Sequence, residues 1–311
     1  MGHAVNYNTI LKMGHRPQAF VTSLHPKVSF IVSTYQGGSQ LDLSLSCLEA
    51  SLNRDFEIIL ADDGSDAELL KPILSRHPEV RYVRQDNFGF RLSRARNLGV
   101  VASTGDILVF MDHDILVPPT FVDSVLRSIH RGWFLGGRRV KLDRRFSELL
   151  LSRPARAFPS WIETVWHSLR RRSPGTRFLF PMRQRMTSGS PQDWRGMAGF
   201  MLCVRRDDFL AVDGFDSSYV SYGVEDWDFM ARLSNYGISA GYLRRRATVL
   251  HVWHPESEDS PNNPNYLKLA RVIEGHAVMP HSGYRCLADM TDVVMDPPSD
   301  QIAELTKSSG Q

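Results

Sequence analysis

Four short, largely apolar runs, at residues 28–33, 56–60, 80–83 and 107–111, are each closed by polar or glycine-containing turns, and the last is uninterrupted. That pattern predicts strands buried on both faces. The segments between them, near 40–52, 67–75 and 92–103, have the length and mixed polarity of helices. Strands and helices alternating at this spacing predict an α/β fold with a mostly parallel central sheet covered on both sides. Regular patterning returns with a strand at 196–204 and a helix at 206–212 that ends at Gly214. A further helix opens at Glu225, with Phe229, Met230 and Leu233 on its core face. Residues 1–26 show no periodicity, 138–195 differ in character from both flanks, and 285–311 read as a polar tail.

The polar residues that follow the strands carry the chemistry. Thr34-Tyr35 follows the first strand, Asp62-Asp63 the second, and Asp112-His113-Asp114 the run 107–111. Ligands of open α/β sheets collect beyond the carboxyl ends of the strands. Two carboxylates one residue apart repel unless a cation or a proton lies between them. Glu225-Asp226-Trp227-Asp228 puts three acids into one helical turn, which a helix dipole alone would also favour. His251 and His254 follow one strand-like stretch later. A histidine pair and an Asp-x-Asp in one α/β chain suit a mixed oxygen/nitrogen metal site.

Composition excludes several classes. An apolar fraction of 42% and a charged fraction of 23% over 311 residues are those of an ordinary globular protein. A net charge of +3 does not by itself imply nucleic acid. Cys47, Cys203 and Cys286 are far apart and odd in number, which argues for a reducing compartment and against a disulfide framework or a zinc cluster. No signal-peptide core and no membrane-length apolar run stands in the sequence, so a cytoplasmic location is expected. Charge is uneven, however: twelve arginines and one lysine lie between Arg138 and Arg185, against Asp143, Glu148 and Glu163. Within that stretch, residues 161–169 have the pattern of an amphipathic helix.

At this point the chain resembles the family 2-type glycosyltransferases of the GT-A fold. Val32-Ser33-Thr34-Tyr35, then Asp62-Asp63-Gly64-Ser65, then Asn87-x-Gly89 with Ala95-Arg96-Asn97-x-Gly99, then Asp112-His113-Asp114 occur in the family's order across residues 28–120. Gly214-Phe215-Asp216 followed by Gly223-Val224-Glu225-Asp226-Trp227-Asp228 is similar to a segment of β-1,4-galactosyltransferases and chondroitin-polymerase-like enzymes, with Val224 where those have glycine. His254 with Asn263-Pro264-Asn265 matches the same galactosyltransferases, and His251 falls where the animal enzymes use a methionine metal ligand. The arginine-rich insert has no counterpart.

The resemblance implies an inverting, metal-dependent transfer of a hexose or N-acetylhexosamine from a UDP-sugar to a hydroxyl of a glycan, lipid-linked or other small acceptor. It implies a Rossmann-like nucleotide-sugar-binding half at 27–137 and an acceptor-binding, catalytic half at 196–284. Asp114, His254 and His251 are then the metal ligands, for Mn²⁺ or Mg²⁺. Thr34, Tyr35 and Asp63, with Asp62 as the alternative carboxylate, would recognise the base. Asp112 would grip the ribose or the metal's water shell, while His113 points back toward the sheet. Arg91 and Arg96 would lie near the diphosphate, with Arg96 equally suited to clamp Asp112. Asp226 would be the base, Glu225 would hold sugar hydroxyls, Asp228 would support the helix start or the metal shell, and Trp227 would either offer a flat face to the ligand or belong to the core.

Three readings of 138–185 stay open: a solvated lid, a surface for an anionic acceptor, and peripheral contact with the inner face of a membrane. Two competing functions remain as well. A metal-dependent nucleotidyltransferase or phosphohydrolase also uses paired carboxylates but leaves the late histidines without a role. An RNA-binding protein would use the arginine stretch but lacks RNA-binding motifs, so no nucleic acid is expected.

Overall fold

A computed structural model describes residues 27–153, 157–160, 162–164, 167, 194–255, 263–287 and 294–295. The expected extension 1–26, nearly all of 165–193 with its arginine clusters, and the tail beyond 295 lie outside the described residues. Of the amphipathic helix expected at 161–169, residues 162–164 and 167 are described and helical.

The elements run in the expected alternation: β1 (Val28–Thr34), α1 (Gly38–Glu49), β2 (Phe56–Asp62), α2 (Ala67–Arg76), β3 (Arg81–Arg84), α3 (Leu92–Val101), β4 (Ile107–Asp112). Then come β5 (Ile115–Leu116), α4 (Phe121–Leu126), β6 (Trp133–Gly136), β7 (Arg138–Lys141) and α5 (Arg144–Leu151). The second half supplies β8 (Met201–Arg205), α6 (Arg206–Ala211), α7 (Glu225–Asn235), β9 (Ser239–Tyr242), β10 (Thr248–His251), α8 (Asn265–Glu274) and β11 (Val294–Met295).

The central sheet has the order β11-β3-β2-β1-β4-β8-β6-β9. Its heart, β3-β2-β1-β4, is parallel throughout, while β8 runs antiparallel to β4 and to β6. Alternation along the strands divides the core into two faces. Phe30, Val32, Ile58, Leu60, Val109 and Met111 line one. Ile31, Ile59, Ala61 and Phe110 line the other, where Phe110 meets Phe209, Phe215 and Phe229. Gly99 lets α3 lie against this second face, since a Cβ there would overlap Ile31.

Two features place the site. The chain leaves β1 toward β2 and β3 on one side, while β4 takes the other, so the topology switches direction between β1 and β4. A crevice opens at the carboxyl ends of strands at such a point, and here Ser33 is paired with Asp112. A separate three-stranded sheet, β5-β10-β7, then begins only two residues after β4 ends. His113 and Asp114 are the turn between the two sheets. The Val252 amide donates to the Asp114 carbonyl and the Leu142 amide to that of His251, so the ends of β4, β10 and β7 are tied together.

Candidate active site

A cavity of about 970 Å³ fills this crevice, at the upper end of the range usual for small-molecule sites. The ends of β1 and β4 form its floor through Ser33, Thr34, Tyr35, Asp112, His113 and Asp114. The ends of β7 and β10 supply Arg139, Lys141, His251 and His254. Phe90, Tyr222 and Trp253 are aromatic side chains on its walls, with Phe90 and Tyr222 meeting edge to face at 5.8 Å.

Three side chains converge at the turn after β4. His251 Nε2 lies 2.9 Å from Asp114 Oδ2, His254 Nε2 lies 3.0 Å from the same oxygen, and the two nitrogens are 3.2 Å apart. Adjacent ligands of an octahedral ion bound at ~2.1 Å are ~3 Å apart, so the three atoms already stand at the spacing of one octahedral face. The other oxygen, Asp114 Oδ1, is buried with no hydrogen-bond partner among the described residues. A buried carboxylate oxygen left so is costly unless a cation or donor reaches it. The donor set of one carboxylate and two imidazoles suits Mn²⁺, with Mg²⁺ less well matched to nitrogen. His254 is prepared for that role, because its Nδ1–H donates to the Pro255 carbonyl at 2.7 Å and leaves Nε2 to coordinate.

The titration of these groups agrees with the geometry. Burial alone would raise the Asp114 carboxyl, but hydrogen bonds from His251 and His254 outweigh it and hold it well below the usual range. The hydrogen bond to Asp114 pushes His254 up to about 9, against the opposing effect of burial. In the cation-free protein His254 therefore carries a proton at neutral pH that a cation must displace.

A second acidic group lies behind Asp112. Buried Arg96 reaches Asp112 Oδ1 at 3.3 Å and Glu225 Oε1 at 3.4 Å, with its guanidinium over the Phe215 ring. It is thus the clamp between β4 and α7, not a diphosphate ligand. Burial raises the Asp112 carboxyl; Arg96 opposes that, and the charge of Asp114 adds to it. Burial and the neighbouring Asp226 push Glu225 up to about 7, in spite of Arg96. Burial also raises Asp226, offset in part by Arg96 and by the Trp227 and Gly199 amides. Gly199 is required here, since a Cβ would overlap the Asp226 carboxylate. Val224, which precedes the acids, has φ 61°. A β-branched residue in that region costs on the order of 1–3 kcal/mol, so the start of α7 is held in strain.

Several expected contacts take a different form. Asp63 lines the cavity, its Oδ2 accepting from the Arg91 amide at 2.7 Å and its Oδ1 from Gln85. Burial raises its carboxyl against those two bonds. Asp62 is turned back into the fold, accepting from the Ser65 amide and the Tyr82 hydroxyl, and so braces the turn. The Arg91 guanidinium goes to the Asp86 carbonyl and over the Phe88 ring, so the backbone of Arg91, and not its charge, serves the site. Trp227 donates from its indole to the Met197 carbonyl and packs on Trp194, which holds it, half-buried, against the core. Among the described residues that line the cavity, Glu225, Asp226 and Trp227 are not found. Asp228 pairs with Arg232 at 2.8 Å and accepts from Tyr219, bracing α7 away from the metal ligands. His113, expected to face the sheet, lines the cavity instead, because the turn after β4 carries it outward. Thr34 is buried with Oγ1 unpartnered among the described residues, and half-exposed Tyr35 accepts from Asn87 at 3.3 Å.

Arg139 and Lys141 are the residues that sequence reasoning missed. Their i, i+2 spacing was the available signal, but the boundary at 138 assigned them to the arginine-rich insert instead of a strand.

The chain matches the family model described as glycosyl transferase family 2 over residues 29–186. It matches that of the N-terminal domain of galactosyltransferase over 182–255. It is 28% identical over 274 residues to validoxylamine A glucosyltransferase of Streptomyces hygroscopicus subsp. limoneus, covering 84% of this chain and 59% of that protein. It is 27% identical over 243 residues to the N-acetylglucosaminyl-diphospho-decaprenol L-rhamnosyltransferase of Mycobacterium tuberculosis H37Rv, covering 74% and 77%. The crystal structure of GalNAc-T7 with UDP, GalNAc and Mn²⁺ shares the fold at a TM-score of 0.56 and 18% identity, over 80% of this chain and 48% of that one. The chain thus spans about three fifths of the validoxylamine enzyme. Among the described residues no helix is long and apolar enough to cross a membrane.

Proposed function

The chain belongs to glycosyl transferase family 2, and on that premise we propose that it moves a hexose or N-acetylhexosamine from a UDP-sugar to an acceptor hydroxyl with inversion. Family membership sets aside the nucleotidyltransferase, phosphohydrolase and RNA-binding readings. The observation that carries the proposal is the convergence of His251 and His254 on Asp114 at the end of β4, with Asp114 Oδ1 left unpartnered among the described residues.

In this reading Asp114, His251 and His254 hold Mn²⁺, with Mg²⁺ as the lesser fit. Bound there, the cation supplies Lewis-acid stabilisation of charge on the departing diphosphate. Asp63 accepts from the uracil N–H, Thr34 offers its hydroxyl, and Tyr35 stacks on the base. Asp112, oriented by Arg96, takes the ribose hydroxyls. Tyr222 and Trp253 give apolar faces to the acceptor, which is a glycan or a lipid-linked sugar.

Asp226 lies outside the cavity lining but beside the charges of Arg96 and Asp112. In this reading it is the base: it removes the acceptor proton as the new bond to the anomeric carbon forms and the bond to the diphosphate breaks on the opposite face. Its raised carboxyl supports that role, since a base poised nearer neutrality is more effective. Glu225, bonded to Arg96, positions Asp112 instead of touching sugar. Peripheral membrane contact through 138–185 would bring such an enzyme to a lipid-linked acceptor.

A screen of UDP-sugars with Mn²⁺ or with EDTA tests the donor half without knowledge of the acceptor. Mn²⁺-dependent release of UDP from at least one donor is expected, and its absence for all of them overturns the reading. Asp226→Asn should keep Mn²⁺-dependent UDP binding while transfer falls ~10²–10⁴-fold. Unchanged transfer removes Asp226 from the mechanism.

A further inference from the structure

The segment that enters α7 is held from outside by the start of α8. Residues 221–224 belong to no helix or strand, and Gly223 and Val224 stand at φ 105° and 61°. Three successive carbonyls of this segment are bonded by two side chains. Asn265 donates from Nδ2 to the carbonyls of Ser221 and Gly223, at 3.0 and 3.1 Å. Asn263 donates from Nδ2 to the carbonyl between them, that of Tyr222, at 2.6 Å. The Asn265 amide in turn donates to Asn263 Oδ1 at 3.0 Å, so the two residues fix each other. Both are buried. A carbonyl only accepts, so each of these bonds needs the NH₂ end of a side-chain amide facing the segment. Pro264 stands between the pair at φ −62° and limits its backbone freedom. One turn on, Lys268 donates to the Ser218 carbonyl and lies over the Tyr219 ring.

What is held in this way is the acceptor side of the site. Tyr222 lines the cavity against Phe90, and Asp226 lies in the first turn of α7, two residues beyond Val224. The far end of α7 is tied to the same region, since Asn235 donates to the Val272 and Ala277 carbonyls at 3.2 and 2.8 Å. Thr34, Asp63 and Asp114, assigned to the donor and its cation, stand at the ends of β1, β2 and β4 instead. A β-branched residue in the left-handed region persists only where its surroundings over-determine it. At Val224 the asparagine pair supplies that restraint. Asp226 is packed against Gly199 without room for a Cβ between them, so an α7 start set loose can carry it only away.

We propose that Asn263 and Asn265 are positioning residues for the transfer. They touch neither substrate; they hold Tyr222 at the acceptor wall and Asp226 at its working distance from the anomeric carbon. The inference rests on the proposed role of Asp226 as the base. Misplacing a reacting group by ~1 Å costs on the order of 10²-fold in rate, so loss of the clamp is read in kcat while donor binding stays as it was.

The test uses the full chain, Mn²⁺ and whichever UDP-sugar the donor screen finds to release UDP, with water as the acceptor drawing on the same base. Asn265→Asp keeps the shape of the side chain but sets an oxygen against two carbonyls. Its kcat for UDP release should fall ~10²-fold, with donor KM and the calorimetric affinity for UDP and Mn²⁺ as in wild type. Asn263→Asp should fall less, since it loses one carbonyl and its remaining oxygen still accepts from the Asn265 amide. Amide hydrogen exchange across 217–226 should quicken in both variants, and that of β1 and β4 should not. Leu269→Ala, which empties core space beneath α8, should lower the thermal midpoint at least as far with kcat near wild type.

An Asn265→Asp variant with unchanged kcat overturns the inference. So does Leu269→Ala slowed as much as Asn265→Asp, because packing of the helix then explains the loss. Unchanged exchange across 217–226 overturns it from the other side, since the bonds then hold nothing. Wild type that releases no UDP from any donor, or Asp226→Asn that turns over normally, defeats the reading beneath the inference and the inference with it. Exchange across 217–226 still separates that failure from a failure of the clamp.

Discussion

His77 and His251 each face a buried carboxylate at hydrogen-bonding distance, yet the two clusters are built for different ends. His77, just past the end of α2, sends Nδ1–H to Glu49 at 2.9 Å and Nε2–H to Asp42 at 3.0 Å. Asp42 and Glu49 are seven residues apart on one face of α1, and Arg76 adds a bond to Asp42 at 2.9 Å. Each nitrogen has its own acceptor, and the ring is buried between two helices. At the end of β4 the arrangement is inverted. Two rings crowd one oxygen of Asp114, its other oxygen has no partner among the described residues, and the group opens onto a cavity. One ring held between two carboxylates and enclosed by two helices makes a staple; two rings on one carboxylate at a cavity wall make a ligand set.

Removing the central carboxylate of each cluster breaks the comparison most sharply. Asp114→Ala should lower Mn²⁺-dependent transfer by ~10³-fold, about 4 kcal/mol of transition-state stabilisation. Thermal stability in EDTA should barely fall, since both histidines are left near a cavity. Mn²⁺-dependent transfer at wild-type rates in this variant defeats the site assignment.

Asp42→Ala should do the reverse. Loss of the shared acceptor of Arg76 and His77 should cost about 3 kcal/mol in urea unfolding, with donor affinity unchanged. A smaller loss than that of Asp114→Ala in EDTA would mean the two clusters do not differ in kind.

Legibility in the sequence followed how much local pattern each feature carried. The strands β1, β2 and β4 are six or seven residues long and mostly apolar, and their ends fixed where Thr34, Asp63 and Asp112 would fall. The strands β5, β7 and β10 are two to four residues long. No periodicity can be read from such pieces, so the second sheet and Arg139 were hidden in a segment defined by its arginines. Side-chain direction was the other gap. Asp62 and Asp63 are adjacent, and strand alternation sends one into the fold and one into the cavity. Arg91 and Trp227 were assigned to the ligand by type, whereas Asp86 and Met197 hold them, and Arg96, which suited either role, clamps Asp112 and Glu225. A long side chain beside a site has many acceptors within reach, and motif spacing does not rank them.

The smallest effect concerns protons. Burial lowers the His77 pKa, but the bonds to Glu49 and Asp42 outweigh it, and the net direction in the folded protein is upward. The folded state therefore binds a proton that the unfolded chain has given up once pH passes ~6.5. The stabilisation is fully present below ~6.5 and is lost as pH rises through the folded value. Urea unfolding of wild type and His77→Gln across this range isolates it, because groups common to both cancel in the difference. The wild-type advantage should shrink as pH rises, and by less than the Asp42→Ala loss. It should be the same in EDTA and in Mn²⁺, since both nitrogens of His77 are occupied by protein carboxylates and neither is offered to a cation. An advantage that changed with Mn²⁺ would place His77 with the ligand histidines and erase the distinction between the clusters.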